Sequence, residues 1–158
     1  MSKNLKIIIS SIVSLGIGSL GALVTTPAIP AWYVYLNKPF FSPPNWLFGP
    51  VWTILYILMG VSFGLIWSKY KKGDKATLNA MKLFGIQFLL NIIWSPVFFG
   101  FKNLLLAFAV IVLMWFILFK TIWAFAKIDK KASYLLYPYL AWISFASILN
   151  FSVWILNR

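Results

Sequence analysis

Three sets of side chains, spaced at helical intervals inside apolar runs, carry the chemistry open to this sequence. Trp52, Tyr56 and Gly60 lie four residues apart, as do Gln87, Asn91 and Ser95, and as do Trp142, Ala146, Asn150 and Trp154. Residues at i and i+4 share one helix face, so each set puts aromatic rings beside small or amide-bearing neighbours. Trp94 and Phe98 flank the second set. Unpaired amides are costly in hydrocarbon, so Asn91 and Asn150 are expected to face other helices or a hollow between them. Rings around such a hollow suit a flat, largely apolar ligand, held by stacking and by buried area. Plain helix packing explains the same stripes, and interfacial anchoring is the better account of Trp46, Trp67, Tyr70, Trp123, Tyr134 and Trp154 near helix ends. For Trp52, Trp94 and Trp142, several residues inside the runs, pocket and packing are equally good readings.

The missing residue types narrow the chemistry further. The chain has no histidine, no cysteine and only two acids, Asp74 and Asp129, both set among lysines and read as solvated surface charge. A zinc site lacks ligands, and neither a Ser-His-Asp unit nor a carboxylate pair can be assembled. Haem iron would be left with Met or Tyr as an axial ligand. No acid lies within an apolar run, so a carboxylate proton relay is not expected. Neither a resident cofactor nor a metal is expected. Gly16, Gly18 and Gly21 fit the dinucleotide spacing GxGxxG, but that fingerprint needs a strand–turn–helix setting. Here it lies inside an apolar run, where Ser14, Gly18 and Ala22 form a small-residue face for close helix packing.

The elements that must position these groups follow from composition. Of 158 residues, 62% are hydrophobic and 10% charged, too little polar surface for a soluble domain. Five apolar runs reach the roughly 20 residues needed to cross a bilayer: 5–26, 46–68, 78–99, 104–126 and 134–156. The expected architecture is all-α, a single integral membrane domain made of a five-helix bundle. The first run is too long for a signal-peptide core, so it is kept as a helix. If the helices alternate in direction, Lys3, Lys6, Lys82, Lys120 and the lysines of the 69–75 and 127–131 turns fall at one end. Only Lys38, Lys102 and Arg158 fall at the other. That asymmetry predicts a cytoplasmic N-terminus and an external C-terminus. Attraction to anionic lipid headgroups accounts for the rest of the net charge of +12, so nucleic acid is not an expected partner. Lys120 is read as snorkelling to the interface.

The connector at 27–45 is unusual. Trp32 to Phe48 holds seven aromatic rings, too many for an ordinary solvated loop. Pro27, Pro30, Pro39, Pro43 and Pro44 are expected to forbid regular helix and stiffen the backbone. The segment reads as a lid at the membrane surface over a cavity. Asn45 is the expected N-cap of the second helix, with Pro50 in its first turn. Lys38, the one charge in the connector, is read as meeting either an acidic group on a ligand or a lipid headgroup.

Trp32-Tyr33, Leu36, Lys38-Pro39, Phe41, Pro43-Pro44, Trp46, Pro50-Val51-Trp52 and Leu55-Tyr56 resemble the signature of the translocator protein family, also called tryptophan-rich sensory proteins or peripheral-type benzodiazepine receptors. The resemblance continues through Gln87, Asn91, Trp94-Ser95, Phe98-Phe99, Pro138-Tyr139, Ala141-Trp142, Phe145-Ala146, Leu149-Asn150 and Trp154, covering essentially the whole chain. It implies a five-helix bundle, commonly a homodimer, whose cavity opens towards the lid. It also implies binding of tetrapyrroles such as protoporphyrin IX and, in bacterial members, light-dependent porphyrin degradation. Carried over by position, Tyr33, Trp52 and Trp142 would contact the porphyrin, and Asn91, Trp94 and Ala146 would line the same pocket. Trp52 and Trp142 would supply the indoles for photochemistry. The animal cholesterol segment carries Tyr and Arg where this chain has Phe151 and Ile155, so the resemblance does not imply sterol binding at that site. The cysteine-free, lysine-heavy composition suits a bacterial plasma-membrane protein.

The leading expectation is a receptor that binds a tetrapyrrole among Tyr33, Lys38, Trp52, Tyr56, Asn91, Trp94, Phe98, Trp142, Ala146 and Asn150. Photo-oxidative degradation through Trp52 and Trp142 is the enzymatic alternative. Transport of porphyrin or lipid across the membrane is the third, although no coupling-ion site is evident.

Overall fold

The computed structural model describes residues 1–158. It is an all-α structure without strands. Five helices are long and apolar enough to cross a bilayer: α1 (Lys3–Ala31), α2 (Asn45–Lys69), α3 (Lys75–Gly100), α4 (Leu104–Ile128) and α5 (Lys130–Leu156). Each runs beyond the span expected from hydropathy. Polar first turns are held by side-chain caps that an apolar window does not detect. Ser2 Oγ accepts from the Leu5 N–H at 3.3 Å and Asp74 Oδ1 from the Thr77 N–H at 3.1 Å.

Two expectations about the connector are corrected. Pro27 and Pro30 do not end the first helix; both lie inside a helical stretch that continues to Ala31. Each proline removes one N–H rung, but unwinding the segment would strip many more backbone bonds in surroundings without water. The lid therefore begins at Trp32. Asn45 makes no capping bond to α2. A 3-10 turn over Asn45–Leu47 does that work instead, with the Leu47 N–H donating to Pro44 O at 3.0 Å.

The acids are caps, not free surface charge. Asp74 Oδ1 accepts from the Thr77 N–H at 3.1 Å, opening α3. That bonding holds the Asp74 carboxyl below its ordinary range. Asp129 accepts from the Lys131 and Ala132 N–H groups, opening α5, and pairs with Lys69 at 3.0 Å. Burial opposes ionisation of Asp129, but these bonds outweigh it and leave its carboxyl below the usual value.

α1 and α2 lie against each other along a seam of small residues. Ser10 Oγ donates to Gly60 O at 2.7 Å and Ser14 Oγ to Tyr56 O at 2.8 Å. Gly18 lies against the Tyr56 ring, and a Cβ on Gly60 would run into the Ser10–Ser11 backbone. The small-residue face expected of Ser14 and Gly18 is present, but it extends back to Ser10 and excludes Ala22. The reason is a 3-10 turn at Ser19–Gly21, which redirects the second half of α1. That half packs on α3, where Thr25 Oγ1 and Ser95 Oγ lie 2.7 Å apart, and Trp32, the first residue of the lid, meets Phe98 edge-on at 5.9 Å. α3 closes in a π turn over Pro96–Gly100, with the Phe101 N–H donating to Pro96 O at 2.8 Å. A core of Phe84, Phe125, Met59, Ile66 and Leu118 fills the end of the bundle far from the lid. Phe98, Phe99, Leu149 and Val153 pack with Tyr33 beneath the lid.

Candidate functional site

Between the far core and the lid lies a cavity of about 580 Å³. Its floor is a buried hydrogen-bonded chain. The Tyr56 hydroxyl donates to Asn91 Oδ1 at 2.9 Å, Asn91 Nδ2 donates to the Tyr139 hydroxyl at 2.9 Å, and that hydroxyl meets Met114 Sδ at 3.3 Å. Trp52 stacks on Tyr56 with centroids 5.4 Å apart and meets Trp142 edge-on at 6.5 Å. Trp142 in turn packs on Phe145 at 5.5 Å and on Phe48 at 6.1 Å. Trp94 packs on Phe98 at 5.0 Å. Its indole N–H donates to Asn150 Oδ1 at 3.1 Å, while Asn150 Nδ2 donates to the carbonyl of Leu104, at the start of α4, at 2.9 Å. The Trp142 indole N–H is buried and has no partner.

The roof is held by polar contacts. Tyr33 is only 3% exposed, packed against Phe48, Phe98 and Phe99. Burial pushes its hydroxyl above the ordinary phenol value, so it stays neutral. Lys38 Nζ donates to the carbonyls of Tyr33, Val34 and Leu36 at 2.9, 3.2 and 3.0 Å. A reciprocal clasp ties the lid to the end of α5. The Asn37 N–H donates to Asn157 Oδ1 at 3.0 Å, and Asn157 Nδ2 donates to Asn37 O at 2.8 Å.

Residues 9–155 match the TspO/MBR family. The chain belongs to the TspO/MBR family. It is 43% identical to a tryptophan-rich protein TspO of Chlorobaculum tepidum over 90% of both chains. It is 42% identical to another of that name from Archaeoglobus fulgidus over 97% of both. With the human translocator protein it shares 37% identity over 78% of this chain and 73% of the human one. Five apolar spans and this membership make the protein an integral membrane protein.

In this TspO/MBR member the cavity brings together nine of the ten side chains singled out from sequence. Trp52 and Tyr56 come from α2, Asn91, Trp94 and Phe98 from α3, and Trp142, Ala146 and Asn150 from α5, with Tyr33 above. Lys38 does not line the cavity; its ammonium is turned to the lid's own carbonyls, Tyr33's among them. Asn91 and Asn150 line the wall, yet both amides are bonded within the protein. Gln87, on the same stripe as Asn91, does not reach the cavity; it is fully buried and its amide has no partner. Sequence reasoning missed the contribution of α1, which supplies Thr25 and Ile29, and it missed Phe48 and Phe145. Adjacent hydroxyls at Thr25 and Thr26 inside an apolar run were the available signal for α1.

Proposed function

We propose that the protein is a membrane receptor that takes a tetrapyrrole such as protoporphyrin IX into this cavity. The observation that carries the reading is the convergence of Trp52, Trp94 and Trp142, from three helices, on one hollow of about 580 Å³. Its size lies within the roughly 300–1,000 Å³ usual for small-molecule sites, and its ring-rich walls favour a planar partner through stacking and area burial. The unpartnered Trp142 N–H adds directionality, since a ligand acceptor placed there removes an unsatisfied buried donor. Lys38 already donates to three carbonyls, so it would have to release the lid to receive a propionate. The lysine asymmetry supports an orientation with the lid outside and the N-terminus in the cytoplasm.

Fluorescence titration of the purified protein with protoporphyrin IX in the dark tests the binding. Saturable quenching is expected, and its absence overturns the reading. Light-driven turnover is the finer reading, favoured by the contact between the Trp52 and Trp142 indoles at 6.5 Å. A light-excited porphyrin would activate dioxygen, which is the oxidant that opens the ring and takes up the electrons, and an indole radical would mediate the transfer, with no acid–base residue needed. Trp142→Phe keeps most of the ring area, so binding should weaken by less than about tenfold. Loss of the Soret band under illumination should slow sharply in that variant. An unchanged rate removes Trp142 from the photochemistry. The animal relatives are called translocator proteins, which favours a transport reading as well, and porphyrin uptake into proteoliposomes in the dark tests it.

A further inference from the structure

We propose that ligands enter this cavity sideways from the bilayer, through a slot between the outer half of α1 and the start of α2, rather than through the lid. The proposal rests on the cavity being a binding site, but not on which ligand occupies it.

Six residues that line the cavity are also exposed at the surface of the bundle. Ser19, Ala22 and Thr26 belong to α1; Trp46, Gly49 and Thr53 belong to α2. Each trio is spaced i, i+3, i+7, so each is one face of its helix, and the two faces border one gap. No lining residue of α3 or α5 is exposed. The opening is therefore confined to the α1–α2 side.

The cause lies in the path of α1. Its seam with α2 ends where Gly18 meets the Tyr56 ring. Beyond the 3-10 turn at Ser19–Gly21 the helix leans on α3, through Thr25 to Ser95 and Ser95 Oγ to Gly21 O at 3.2 Å. Nothing large refills the gap: apart from Trp46 at its lid end, the borders are Ser, Ala, Thr and Gly. A Cβ added at Gly49 would meet nothing within 4 Å.

The lid route is closed by comparison. Tyr33 plugs it from beneath, Lys38 knits its carbonyls together, and the Asn37–Asn157 clasp ties it to α5. A slot within apolar helices opens onto acyl chains, not water. It selects planar amphiphiles already dissolved in the membrane, and the Ser19, Thr26 and Thr53 hydroxyls offer a mildly polar rim for the edge of such a molecule.

The chain has no cysteine, which makes a test independent of porphyrin possible. Ala146→Cys places one thiol on the wall across from the slot in the full-length protein, reconstituted in phosphatidylcholine vesicles. Pyrene maleimide, flat and membrane-partitioned, is the probe, and its labelling rate is the readout. Adding Thr26→Trp should slow labelling by at least about tenfold if the slot gates access. Leu23→Trp adds the same ring on an exposed position outside the cavity and should leave the rate unchanged. Asn157→Ala, which undoes the clasp, should also leave it unchanged. If Thr26→Trp does not fold, Gly49→Leu narrows the slot from the facing helix. The proposal is overturned if Asn157→Ala speeds labelling, if the slot variants leave it unchanged, or if the parent thiol does not react. Failure of the dark porphyrin titration would instead sink the tetrapyrrole reading and leave this result standing.

Discussion

Asn91 sits between two tyrosine hydroxyls, donating to one and accepting from the other. Replacing it with Leu strands the Tyr56 hydroxyl and leaves that of Tyr139 with only the Met114 thioether, at a cost of about 1–3 kcal/mol for the polar group left unpaired. Asn91→Leu should therefore lower the thermal unfolding midpoint in detergent markedly. Gln87, one turn away, should do the opposite. Its amide is fully buried and unpartnered, so Gln87→Leu removes a polar group that gains nothing by being there. An equal or higher midpoint is expected for Gln87→Leu, and a loss as large as that of Asn91→Leu would show that the amide has a partner in the membrane-embedded protein. The four-residue spacing of Gln87, Asn91 and Ser95 made their common face legible. It could not show their unequal fates, because the tyrosines that satisfy Asn91 come from α2 and α5, 35 and 48 residues away.

At the scale of elements, the seam between α1 and α2 sets how close the two helices come. A Cβ at Gly60 would meet Ser10 O at 2.7 Å, and backbone cannot swing aside as a flexible side chain can. Overpacking of this kind costs about 1–3 kcal/mol, so Gly60→Ala should destabilise the protein. Gly85 is the control: it is exposed in mid-helix with open space around it. Gly85→Ala should raise stability by about 0.5–1 kcal/mol through helix propensity. Chemical denaturation in mixed micelles separates the two signs. The small-residue stripe of α1 was readable from sequence. Its interruption at Ser19–Gly21 was not, and neither was helix through Pro27 and Pro30, because local proline chemistry argues for a break and the lack of water argues more strongly against one.

Across the whole molecule, Asp129 joins three parts: it caps the start of α5, follows the end of α4 and pairs with Lys69 at the end of α2. Its folded carboxyl lies below the ordinary value, so the stability it contributes is present above the unfolded carboxylate value of about 3.9 and is lost as pH falls through the lower folded value. Asp129→Asn should lower the unfolding midpoint at pH 7, and the gap from the parent should shrink as pH drops below about 4. A gap that stays constant from pH 7 to 3 would show that the ionised carboxylate contributes nothing. Composition placed Asp129 in a lysine-rich turn; only the fold brought Lys69, 60 positions earlier in the chain, against it.

Hydropathy alone dictated the five helices, because a bilayer leaves the backbone no other way to satisfy its hydrogen bonds than within each span. Periodicity alone determined which residues share a face, and the family signature was visible in the spacing of Trp, Pro and Asn. Neighbours were decided by the tertiary structure. Helical period states which way a side chain points around its own axis but not which helix stands opposite. So the meeting of Trp52 with Trp142, the turning of Lys38 to the lid's carbonyls and the gap left where α1 leaves α2 for α3 all came from long-range packing.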